Sequence, residues 1–155
     1  MALASDLLEQ AFDLARKEAR KPKQASLRRA ISAAYYALFH LLVGEVVAKW
    51  GGANRARLAR GCDHGRMKEA ARKIRSEAFT GVDRRVAGNL RKVAAAFVLL
   101  QERRHLADYD YLKKWSRAEV LEDLAMIAEA FESWQAIRHE PVAEDFLLRC
   151  LVSRS

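Results

Sequence analysis

Arg29-Ala30-Ile31-Ser32-Ala33-Ala34-Tyr35-Tyr36-Ala37-Leu38-Phe39-His40 is the stretch on which the fold turns. A helix through these residues is apolar on nearly every side, and a helix of that kind belongs in the middle of a bundle. One polar stripe interrupts it. Arg29, Ser32, Tyr36 and His40 recur at intervals of three or four residues and so share a face. Polar groups on a buried rod need partners, and these must come from neighbouring helices.

The pattern extends from near Ser26 through Leu42 and Val46 to Trp50, where Gly51-Gly52 supply a stop. Upstream, Leu7, Leu8, Ala11, Leu14 and Ala15 recur at helical spacing. That first helix ends near Lys21-Pro22, because proline disfavours helical geometry in its predecessor. Downstream, residues 51–62 hold Gly51, Gly52, Asn54 and Gly61 among Arg55, Arg57 and Arg60, and read as a loop. Asp63 then caps a short helix from His64 to about Ile74.

Asp83 caps a long helix with Val86, Leu90, Val93, Phe97 and Leu100 on one stripe. Ser116 with Glu119 forms a capping box that opens the last long helix, whose Val120, Leu124, Ile127, Phe131 and Trp134 face the core. Pro141 breaks it ahead of a short terminal helix from Val142 to Leu151. The expectation is an all-α fold, an antiparallel bundle of four to five helices in a single domain spanning 1–155. Leu38, Phe39, Val93, Phe97, Leu124 and Phe131 are expected in its core. Trp50, Trp115 and Trp134 fall at a helix end, a helix start and a core stripe, where packing accounts for them.

Composition agrees. Gly and Pro total nine residues, too few for a fold of many short strands and turns. No apolar run approaches the roughly 18–20 residues of a bilayer span, and Asp6 and Glu9 stand where a basic signal start would lie. Cys62 and Cys150 form no disulfide framework and read as free thiols, so a cytoplasmic location is expected, with no membrane contact.

The net charge of +8 is uneven, with 24 basic against 12 acidic side chains before residue 116 and 4 against 8 after it. A basic body with an acidic end suits nucleic acid, an acidic partner protein or pairing between subunits. The basic density peaks between Arg55 and Arg75, where Arg55, Arg66, Arg72 and Arg75 are the candidate nucleic-acid contacts. No aromatic residue interleaves them as a base-stacking platform would, so a solvated helix face is the competing reading.

Two segments together resemble the HEPN family: Arg29 to His40, which looks like its AYYA-x-FH helix, and Arg104-His105-Leu106-Ala107-Asp108-Tyr109-Asp110-Tyr111, which looks like its R-x-x-ADY segment. The resemblance covers roughly residues 5–137. It implies a helical bundle that commonly forms homodimers, with RNA-directed endoribonuclease toxins among its members. It also implies RNA or a nucleotide as ligand and a nucleotidyltransferase-like antitoxin as a possible partner. On this reading Arg104, Tyr109, His40 and Tyr36 are the candidate catalytic residues. In the ribonuclease members an arginine is followed four to six residues later by a histidine, and often by a tyrosine two positions on. Here Tyr109 occupies the histidine position, with Tyr111 after it.

That departure weighs against cleavage. Tyrosine, with an ordinary pKa near 10, is a poorer base at pH 7 than histidine near 6.5 by about 4 kcal/mol. The expected activity is therefore weak or absent metal-independent endoribonuclease cleavage, or the chain is a non-catalytic binding or dimerisation module that docks nucleic acid, nucleotide or an acidic partner protein. Arg57 and His64 match the arginine–histidine spacing but fall in the loop and at the start of the short helix, away from the bundle cleft. His105 is adjacent to Arg104, and adjacent helix positions diverge by about 100°. No metal or cofactor is expected. Asp108 and Asp110 flank Tyr109 without a third carboxylate nearby, and Cys62 with His64 completes no zinc pattern.

Overall fold

The computed structural model describes residues 2–152, and among them the chain is all-α, with no strand. Seven helices follow in order: α1 Ala2–Ala15, α2 Gln24–Trp50, α3 Arg55–Gly61, α4 His64–Ser76, α5 Arg84–Tyr109, α6 Arg117–Ile137 and α7 Pro141–Leu151. The one α-helix added to the expected elements is α3, which is short, and α7 forms where a short terminal helix was expected. The four longest helices, α1, α2, α5 and α6, make the bundle proper, with α4 packed on α5 and α7 packed on α4.

α2 is the central rod. It packs against α1, α5 and α6, and Leu27, Ala30, Ile31, Ala34, Tyr35, Leu38, Leu42 and Val46 are all fully buried on it. Among the described residues α2 is the one helix long and apolar enough to cross a membrane, although no such run was expected. Two thirds of that stretch is buried inside the bundle, which accounts for its apolar character.

α2 begins two residues earlier than Ser26 because Glu18 reaches back to its start. Glu18 Oε1 accepts from the Lys23 backbone N–H at 2.8 Å, and Oε2 accepts from the Ser26 hydroxyl at 2.9 Å. On the facing side α1 buries only Ala4, Ala11 and Ala15, small residues that let the two helices approach closely.

The segment read as a loop is mostly helical. Gly51 turns the chain where any Cβ would strike the Val47 carbonyl, and Gly52 adopts φ +47°, a left-handed conformation suited to glycine. A single 3₁₀ turn, Gly52–Asn54, leads into α3. The run Ala56, Arg57, Leu58, Ala59, Arg60 consists of strong helix formers, and Leu58 and Ala59 pack against the core, so propensity and packing outvote the flanking glycines. The expected caps at Asp63, Asp83 and Ser116 all form, each side chain accepting from backbone N–H groups one turn on.

Leu38, Phe39, Val93, Phe97 and Leu124 are buried as expected. Phe131 is only partly buried, at the edge of the core. Trp115 and Trp134 are packed inside, whereas Trp50 stands 43% exposed at the end of α2, so packing does not account for it.

Phe97 is fully buried at the α2–α5 contact, its ring 5.5 Å from that of Tyr35. Phe97→Ala is expected to cost about 3–5 kcal/mol in a urea unfolding titration. A loss under about 1 kcal/mol would contradict this packing.

Candidate functional site

The site is assembled where the start of α2 holds the end of α5. The last carbonyls of a helix lack partners within it, and Arg28 supplies them to α5. Its Nη1 donates to the Ala107 carbonyl at 2.8 Å and its Nη2 to the Lys113 carbonyl at 2.8 Å. Gln24 clamps the next residues in a reciprocal pair, its Nε2 donating to the Trp115 carbonyl and its Oε1 accepting from the Trp115 N–H. The final two turns of α5 are thereby fixed against α2.

Within those turns the adjacent arginines part. Arg103 points to α6, where its Nε donates to Asp123 Oδ2 at 2.7 Å beside a contact to Glu119 at 3.5 Å. Arg104 points to α2. Its guanidinium carbon lies 5.0 Å from the Tyr35 ring centroid and 5.6 Å from that of Tyr36. Such cation–π contacts favour a guanidinium over an aromatic face. One turn on, Asp108 Oδ2 accepts from Arg104 Nη1 at 3.2 Å, and Asp108 Oδ1 accepts from the Ser32 hydroxyl at 2.6 Å. The Arg104 side chain is 14% exposed.

The stripe on α2 thus meets Arg104 through Ser32 and Tyr36. His40 lies further along, its ring 6.3 Å from that of Tyr36 and half-buried. Asp108 is committed to Arg104 and Ser32. Asp110 accepts from the backbone N–H groups of Leu112 and Lys113, closing the turn after α5. Among the described residues no group of three His, Cys, Asp or Glu side chains is placed to hold a metal ion.

The histidine of this cleft is His64, at the first position of α4. Its ring stacks on Phe39 at 4.2 Å between centroids and 15° between planes. Its Nδ1 lies 2.5 Å from the Tyr35 hydroxyl, and its backbone carbonyl accepts from Gln101 Nε2. Tyr35 is fully buried and has His64 as its one side-chain hydrogen-bond partner among the described residues. Burial raises the Tyr35 pKa, against the pull of Arg104, so it remains a hydroxyl.

Burial, and then the Arg104 charge, hold the His64 pKa below its ordinary value, which keeps the ring neutral at pH 7. A buried O–H without an acceptor is costlier than an unused lone pair, which assigns the tautomer. Tyr35 donates to Nδ1, and the His64 proton sits on Nε2. In this state His64 offers a donor to a ligand and has no free lone pair with which to act as a base.

Tyr109 is elsewhere. Five helix positions after Arg104 amount to about 140° around the axis at 3.6 residues per turn. Tyr109 is 65% exposed beside His105, with ring centroids 5.0 Å apart. The two rings border a cavity of about 930 Å³ with Leu106, Tyr111 and Leu112. Of the four candidate catalytic residues, Arg104 and Tyr36 come together, His40 lies behind Tyr36, and Tyr109 faces another side. His64, which the sequence reading kept away from the cleft, takes its place there. Its pairing in spacing with Arg57 and its nearness to Cys62 had drawn attention to it, and Arg57 is exposed on α3.

The basic segment is partly spoken for. Arg66 Nη1 donates to the Leu151 carbonyl at 2.9 Å and ties α4 to α7. Arg72 and Lys68 both approach Glu102, at 3.8 and 3.6 Å. Arg55 and Arg75 are exposed and make no ion pair among the described residues, in the company of Arg57, Arg60 and Lys73.

No family model matches the chain, and no curated protein or solved structure matches it.

His40 and His64 both have pKa values lowered by burial. The unfolded chain therefore takes up protons first as pH falls. Their contribution to stability is present above about 6.5, the ordinary histidine value, and is lost as pH drops through the depressed values. The melting temperature is expected to fall between pH 7 and pH 5, and to fall less in His64→Gln. An equal fall in both proteins would show that His64 carries none of this dependence.

Proposed function

We propose that this chain is a HEPN-like, RNA- or nucleotide-directed component of a toxin–antitoxin or defence-type system, with weak or absent metal-independent endoribonuclease activity. The observation that carries the reading is the donor set around Arg104. A guanidinium is held over two tyrosine rings beside a histidine whose Nδ1 meets the Tyr35 hydroxyl, an arrangement that turns Nε2 toward other partners. Such donors suit a phosphate oxygen, which accepts charge-assisted hydrogen bonds. The exposed arginines of α3 and the end of α4 would attract the rest of a polyanion.

Weak cleavage follows from the same arrangement. General base catalysis needs a free lone pair within reach of the attacking hydroxyl. Nδ1 of His64 is paired with the Tyr35 hydroxyl, and Tyr109 lies about 140° around α5 from Arg104. Alongside RNA, the resemblance points to a homodimer, a nucleotidyltransferase-like antitoxin partner and a cytoplasmic setting. A second reading, a binding module that docks an acidic partner protein, is favoured by the unpaired arginines of α3 alone.

The test compares wild type, Arg104→Ala, Tyr35→Phe and Tyr109→Phe on mixed RNA in chelator, following binding and cleavage separately. Arg104→Ala is expected to weaken RNA binding about tenfold or more, as loss of a charge-assisted hydrogen bond does. Tyr35→Phe is expected to release Nδ1 and raise cleavage above the wild-type level. Tyr109→Phe is expected to change neither. Unchanged affinity in Arg104→Ala would remove the phosphate site, and strong wild-type cleavage abolished by Tyr109→Phe would make Tyr109 the catalytic group.

A further inference from the structure

A second concavity adjoins this site on its other side. Between α1 and α2 runs a groove of about 580 Å³, within the range of small-molecule sites. Leu3, Leu7 and Leu14 of α1 and Ala33 of α2 form its apolar walls. Ser32, Tyr36 and His40 line it from α2, and Tyr36 is the residue whose ring also lies under Arg104. The groove therefore opens beside the phosphate site, with one side chain shared between them.

Its remaining lining residues are Gln10 and Arg29, both exposed, and neither makes a side-chain hydrogen bond or ion pair among the described residues. No carboxylate lines the groove. The larger cavity beside Tyr109 differs in this respect, because Glu102 and Asp110 line it. There Lys68 pairs with Glu102, whereas the α1–α2 groove presents Arg29 with no acid in its lining.

Apolar walls, hydrogen-bonding groups at the rim and a cation with no acid describe a slot for a flat, weakly polar ring whose edge carries acceptors. We propose that the α1–α2 groove is a nucleobase subsite that takes an unpaired guanine next to the phosphate held at Arg104, a proposal that rests on the RNA- or nucleotide-directed reading above. Unpaired bases are read along their exposed edges. Arg29 presents a fork of donors suited to the O6 and N7 acceptors of guanine, the commonest arginine–base pairing. Gln10 supplies a donor and an acceptor to the remaining edge. The leucines of α1 cover the face of the ring.

The experiment measures anisotropy of labelled single-stranded oligouridylates that carry one central G, A, C or U, with wild type, Arg29→Ala, Leu7→Trp and Arg104→Ala. Arg29 is exposed and Leu7 only half-buried, and circular dichroism verifies that each variant is folded. Wild type is expected to favour the G-containing oligomer by roughly fivefold to a hundredfold, the range of one bidentate base contact. Arg29→Ala and Leu7→Trp should abolish that preference while still binding RNA. Arg104→Ala should weaken all four oligomers alike.

Displacement of the G oligomer by guanosine monophosphate and not by uridine monophosphate would assign the groove to a free nucleotide as well as to a strand. RNA binding without base preference, or a preference that survives Arg29→Ala and Leu7→Trp, overturns the subsite and leaves the RNA reading intact. Absence of any RNA or nucleotide binding overturns both.

Discussion

The contact on which the rest depends is the guanidinium of Arg28 against the end of α5. A helix terminus presents carbonyls that its own backbone cannot satisfy and a partial negative charge that favours a cation. Arg28 answers both needs at Ala107 and also holds the Lys113 carbonyl of the following turn. Because Arg28 sits two turns before Tyr35 and Tyr36 on the same helix, fixing the end of α5 there also fixes the distance at which Arg104 crosses the two rings. The site is a consequence of how one helix end is capped by the neighbouring helix. It needs no loop to close over it.

The adjacent arginines show how helix geometry divides labour. Positions 103 and 104 diverge by about 100°, so one guanidinium must serve α6 and the other α2. Arg103 compensates Asp123, whose carboxyl is buried and whose pKa desolvation pushes upward. Neutralising such a pair from one side leaves a buried charge unmatched, which is usually costly. Both arginines lie over aromatic faces, but Arg104 has a carboxylate on only one of its nitrogens, whereas Arg103 meets two. It is the one of the two left with donors for something else.

The bundle was legible from the chain because its signals are local. The caps at 63, 83 and 116 and the apolar run of α2 each act within a few residues, and those helices begin and end close to where the signals lie, whereas α1 ends at Ala15, well before the expected stop at Lys21-Pro22. α3 escaped notice for the same kind of reason: Gly51, Asn54 and Gly61 are local loop signals, whereas the packing of Leu58 against the core is not visible locally. The site was half legible. Ser32 and Tyr36 could be linked by the stripe on α2, and Arg104 joined them only through the resemblance. His64 could not be linked to them, because its place beside Tyr35 depends on the path of α4 across the bundle. Tyr109 came to the site through the resemblance alone, and its position about 140° around α5 from Arg104 turns it to another side.

Net charge was the least transferable of the sequence observations. Counting from Arg55 to Arg75 gives eight cations, yet three of them are occupied: Arg66 with a carbonyl of α7, and Lys68 and Arg72 with Glu102. On the other side of α7, Arg149 is held between Glu77 and Asp145. The positive field available to a ligand is concentrated on α3 and the last turn of α4, where the side chains are exposed and screened only by solvent. Arg104 contributes in a different manner. Its charge is largely buried against aromatic faces, where screening by salt is weak and hydrogen-bond geometry is set before any ligand arrives. Under the proposed function, such a chain would separate two tasks that a count of arginines merges, with exposed cations gathering an anion from a distance and one buried cation orienting it.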